Sequence, residues 1–65
     1  MDRQSQNKVI DAGFTIIRKD DYPSPRIKAR YTSDSDFRTY EKYESKAERD
    51  RSFKRLLKDK NVISD

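Results

Sequence analysis

The chain has 65 residues, 43% of them charged and 31% apolar, with 16 Lys and Arg against 12 Asp and Glu for a net charge of +4. It contains no cysteine and no histidine, which excludes disulfide staples, a Cys/His zinc site and catalysis by a thiolate or an imidazole. A chain this short holds one domain at most, and such a domain buries only about 60% of its unfolded surface, so partner binding or self-association is a reasonable source of extra stability.

The apolar residues are few but clustered, in 9–17, 27–31, 37–43, 53–57 and 62–63, and this regular clustering predicts a small folded domain over 1–65. Residues 2–12, DRQSQNKVIDA, read as a short helix that Asp2 or Ser5 can cap. Gly13, the only glycine, follows at once and suits the left-handed residue that ends a helix, with Phe14 folding back toward Val9.

Residues 14–19, FTIIRK, are β-branched and aromatic and predict a first strand, which Asp20, Asp21, Pro23 and Pro25 terminate. Residues 26–31, RIKARY, alternate strictly. A strand here places Ile27, Ala29 and Tyr31 on an inward face and Arg26, Lys28 and Arg30 on an outward one. TSDSD, residues 32–36, is a polar turn.

Residues 37–44, FRTYEKYE, fit a strand or a helix. The next segment decides, because Ser45 and Glu48 form an S-x-x-E capping box that opens a helix over 45–59 with Phe53, Leu56 and Leu57 as its apolar stripe. That stripe points about 120° away from the Phe37–Tyr40–Ala47 line, so one continuous helix would need two faces. A strand followed by a helix is expected instead. Val62 and Ile63 can then form a short edge strand or a docked tail. The expected fold is α+β, in the order α-β-β-β-α, with a three-stranded antiparallel sheet, helices covering one face, and room for a short final strand.

No catalytic motif appears. There is no G-x-S-x-G, no dinucleotide fingerprint, and a single glycine cannot build a phosphate-cradling loop. Asp20, Asp21, Asp34, Asp36, Glu41 and Glu44 are carboxylates of loops and strand ends. DSDF resembles the start of a calcium loop but lacks its glycine and its distal glutamate. No enzyme activity, metal or cofactor is expected. No apolar run reaches the length of a signal-peptide core or a membrane span, so a soluble, cytoplasmic chain without membrane contact is expected.

The basic excess lies in residues 14–31 and 45–65. If Ile27, Ala29, Phe37 and Tyr43 all face inward, Arg26, Lys28, Arg30, Arg38 and Lys42 surround Tyr40 on the outward sheet face. Such a face can neutralise phosphates, and its tyrosine can stack on a base. The same pattern also suits an ordinary solvated sheet face. Arg51, Lys54, Arg55 and Lys58 of the last helix are free to meet phosphate or an acidic partner. The nucleic-acid candidates are therefore Arg26, Lys28, Arg30, Arg38, Tyr40, Lys42, Arg51, Lys54 and Arg55, with DNA or RNA as the expected partner. The alternative is a protein-interaction module, such as a small regulator or inhibitor with an acidic protein partner.

The run RIKARYTSDSDFRTYEKYESKAERDRSFKRLL resembles two families. One is the arm-type DNA-binding domain of tyrosine integrases, whose sheet is backed by a helix often opening T/S-K-x-E-A; SKAE is similar but shifted. That resemblance implies a sheet face entering the major groove through Arg26, Lys28, Arg30, Arg38 and Lys42. The other is the double-stranded RNA-binding domain, also α-β-β-β-α, with a Lys-rich opening to its second helix. Here SKAERDRSFKRLL lacks that family's second lysine pair, its alanines and its preceding glycine. The chain also resembles short proteins of Bacteroides-type bacteria and their mobile elements, which implies no activity.

Overall fold

The computed structural model describes residues 2–65. It is an α+β domain with six elements in chain order: α1 (Arg3–Asp11), β1 (Thr15–Asp20), β2 (Arg26–Arg30), β3 (Arg38–Lys42), α2 (Lys46–Leu56) and β4 (Val62–Ser64).

Local chemistry sets the helix ends. The Ser5 amide donates to the Asp2 carboxylate at 2.8 Å and the Glu48 amide to the Ser45 hydroxyl at 3.2 Å, so each helix starts where a side-chain oxygen takes up a free backbone donor. α1 ends in a Schellman turn. Phe14 N–H donates to Val9 C=O at 3.0 Å and Gly13 N–H to Ile10 C=O at 2.9 Å, with Gly13 at φ +102°.

The sheet differs from the expected three-stranded antiparallel one. It has four strands in the order β3-β2-β1-β4, and β4 runs parallel to β1 while the other pairs are antiparallel. Val62–Ser64 therefore completes the sheet as an edge strand.

The helices do not share one face. β3 and β4 lie on opposite edges, so the chain segment that joins them must cross the whole sheet. Three inter-strand spacings amount to about 14 Å, and the 11 residues of α2 reach about 16 Å. α2 spans that distance and occupies one face: Phe53 packs with Ile17, Ile27 and Ala29, edged by Tyr43, Leu56 and Val62. The other face is left to α1. Ile10 of α1 and Ile16 of β1 are both buried there, and Arg30, which pairs directly with Ile16 across the strands, bonds to Gln6 on α1.

The α1 side of the core is thus half polar. α1 buries only Gln6 and Ile10. The volume that apolar side chains do not fill is taken by the Arg30 guanidinium, wholly buried at 0% exposure. Its Nε donates to Ser35 O at 2.8 Å, Nη1 to Gln6 Oε1 at 2.9 Å, and Nη2 to Asn7 Oδ1 at 2.7 Å and Ser33 O at 3.0 Å. All four acceptors are neutral. Gln6 passes the interaction on, because its amide donates to the Asp65 carboxylate at 3.1 Å, and Asp65 N–H is held by Ile17 C=O at 2.9 Å. The 32–36 turn closes over Arg30 by the same bonds.

A second arginine organises the other end of the sheet. Arg49 of α2 is 5% exposed; its Nη1 donates to Asp20 O at 2.9 Å and to the Asp21 carboxylate, and its Nε donates to Asp50 Oδ1 at 3.2 Å. This ties α2 to the β1–β2 connection, which holds the prolines. The Arg49 guanidinium, as hydrogen-bond donor, holds the Asp21 carboxyl below its ordinary value. Asp20 is also held low, first by the Tyr22 backbone N–H (3.3 Å) and then by Lys28.

Candidate nucleic-acid interface

The sheet does not assemble the expected ring of five cations around Tyr40. Arg30 is withdrawn into the core by its four hydrogen bonds and cannot reach a ligand. Arg38 and Lys42 are separated by a β-bulge. Arg26 pairs with Lys42 and Ile27 with Glu41, but Lys28 pairs with Thr39 and Ala29 with Arg38, so Tyr40 is the extra residue. One inserted residue reverses the alternation. Lys42 therefore shares the α1 side with Arg26 and Lys28, while Arg38 shares the α2 side with Ala29. For the same reason Phe37 and Tyr43 fall on opposite faces. Phe37 lies under the Arg18 guanidinium, 4.1 Å from its ring centroid, and Tyr43 packs against the Phe53 cluster. Tyr31, expected inside with Ile27 and Ala29, is 52% exposed just past the end of β2.

The remaining sheet cations are partly engaged. Arg26 donates from Nε to Ser24 O and from Nη2 to Ser24 Oγ, both at 3.1 Å. Lys28 lies 3.1 Å from Asp20, and Arg18 is 3.9 Å from Asp65. All residues of β3 are exposed, and Arg38 and Lys42 make no ion pair among the described residues.

α2 presents its cations differently. At about 100° per residue, Arg49, Phe53 and Leu56 form its inner side and Arg51, Lys54 and Arg55 its outer one, and Lys58 follows in the turn just past the Leu57 cap. All four are exposed. Glu48 stands three residues before Arg51, and Asp50 four before Lys54, spacings that allow ion pairs. Neither pair forms. Asp50 turns instead to Arg49 and to Lys19, 3.8 Å away, which itself stands over the Phe53 ring. Among the described residues Arg55 donates only to Ser52 Oγ, at 3.3 Å. The burial of Arg49 thus draws Asp50 away from Lys54 and leaves the outer ridge of α2 without a carboxylate partner among the described residues.

No pocket opens among the described residues, and no group of three or more metal-ligating side chains comes together there. Among the described residues no helix is long and apolar enough to cross a membrane. No family model matches the chain, and comparison with curated proteins and with solved structures finds no match. The arrangement itself is therefore the ground for a functional reading.

Proposed function

We propose that this chain is a small non-enzymatic binding module that contacts the phosphate backbone of DNA or RNA through the outer ridge of α2. The observation that carries this reading is the run of four exposed cations, Arg51, Lys54, Arg55 and Lys58, without carboxylate partners among the described residues. Arg51, Lys54 and Arg55 span four residues, about 6 Å along the helix axis, and Lys58 extends the run into the turn beyond the Leu57 cap. A ridge of that length meets several phosphates of one strand, and each one neutralised releases counterions. Sheet cations play a lesser part in this reading, because Arg30 is internal and Arg26 and Lys28 are already engaged.

The test changes Arg51, Lys54, Arg55 and Lys58 together to Ser and follows fluorescence anisotropy of labelled duplex DNA, single-stranded DNA and duplex RNA. Binding by the natural chain that this variant loses, with helical circular dichroism retained, supports the reading. Failure of the natural chain to bind any of the three at low salt overturns it and directs the ridge to an acidic protein partner.

A further inference from the structure

The β3 edge adds a feature that phosphate contact alone does not use. Tyr40 sits on the bulge, 48% exposed, in an edge strand whose outer side pairs with no other strand. Arg38 and Lys42 stand two residues to either side of it, both exposed and neither in an ion pair among the described residues. Three residues on, Tyr43 packs into the cluster that holds Phe53. That contact brings the end of β3 beneath α2.

Resting on the phosphate-binding reading above, we propose that Tyr40 is a stacking platform for an unpaired base, which makes the preferred ligand a single-stranded nucleic acid. A duplex hides its base faces within the stack, and only an unpaired base can lie on an exposed ring. The bulge supplies the platform by interrupting the ladder at Tyr40, and it sets Arg38 and Lys42 on opposite faces of the sheet, so that a strand crossing the β3 edge at Tyr40 meets one cation on each side. A bulge with flanking cations also discourages edge strands from pairing with one another. That role needs no aromatic ring at position 40 and predicts that Tyr40→Ser changes no affinity.

The experiment measures anisotropy of a labelled oligothymidylate of about twelve nucleotides, within the ~4–16 nucleotides that small single-strand-binding domains cover, and of a duplex of equal length. The natural chain should bind the single strand more tightly than the duplex. Tyr40→Ser should weaken single-strand binding by about tenfold or more, the usual loss for one stacked base, and leave duplex binding unchanged. Tyr40→Phe and Tyr40→Trp should keep single-strand affinity within about threefold, since both keep a ring on which a base can stack. If the four-fold α2 variant loses binding while Tyr40→Ser holds the single strand as the natural chain does, the stacking proposal falls and the phosphate reading stands. If the natural chain binds neither ligand, both fall.

Discussion

Arg30 Nη1 donates to Gln6 Oε1 at 2.9 Å, joining β2 to α1 inside the core. This bond belongs to a network in which one buried cation is held by neutral acceptors alone. Its role is structural: it fills and cross-links the α1 side of the sheet, where apolar side chains are scarce.

The consequence is an unusual sensitivity at a basic residue. At about 0.05–0.15 kcal/mol per residue, a domain of 65 residues holds roughly 3–10 kcal/mol in all. Arg30→Ala strands several acceptors and opens a cavity, and is expected to cost about 3 kcal/mol or more. Arg30→Lys keeps the charge but not the planar fork, and should also destabilise. Urea melts followed by circular dichroism test this. A melting midpoint for Arg30→Ala within error of the natural chain would rule out the structural role.

Gly13 is predicted to be intolerant for a different reason. Its φ of +102° is one that L side chains rarely adopt, yet nothing lies within 4 Å of where a Cβ would stand. The cost of Gly13→Ala is therefore conformational rather than a clash, about 1–2 kcal/mol, and thermal melts should show it. Ser45→Ala, which removes a cap, should cost about 1 kcal/mol.

Asp20 and Asp21 predict loss of stability in acid. Both carboxyls are held below their ordinary 3.8, so near that pH the folded chain binds fewer protons than the unfolded one. Their stabilisation is fully present above pH 3.8 and is lost as pH falls through the lower folded values. Asp21→Asn should flatten the stability profile across that acidic window. Equilibrium unfolding from pH 6 down to pH 2 provides the measurement, and an unchanged slope in Asp21→Asn would remove Asp21 from the account.

The α2 ridge predicts a particular salt dependence. Four phosphate contacts give a slope of log K against log salt near −2.8 for a single strand and −3.6 for duplex DNA. Replacing Lys54 alone should reduce the slope by about 0.7–0.9 and change affinity similarly for all sequences. Titrations between about 50 and 200 mM salt read this out. A slope that stays constant when Lys54 is removed would take that residue off the interface.

The features legible from local sequence are those whose physics is local. The Asp2 and Ser45 caps, the Gly13 turn and the alternation in RIKARY each depend on neighbours within a few residues, whereas Val62 and Ile63 fit an edge strand or a docked tail until pairing with the distant β1 makes them a strand. They are found close to where the spacing puts them, with β1 displaced by one residue and α2 ending at Leu56 rather than at residue 59. The helix candidates Arg51, Lys54 and Arg55 are exposed as expected for the same reason: a helix with one buried stripe has one outward ridge.

The sheet candidates were not legible in that way, because their environment depends on distant parts of the chain. Alternation groups Arg30 with Arg26 and Lys28, and the observed pairing places all three on one face. Which part of that face is wet depends on where α1 lands, and α1 lands there because α2 must cross the opposite face to carry the chain from β3 to β4. Arg38 and Lys42 keep the same parity on paper, but the bulge at Tyr40 inserts a residue that no periodicity in FRTYEKYE announces. The amino-acid order alone therefore determined the two helices with their caps, the first two strands and the basic ridge of α2. The tertiary structure alone decided which cations are core and which are surface, since burial is a property of what packs against a residue from elsewhere in the chain.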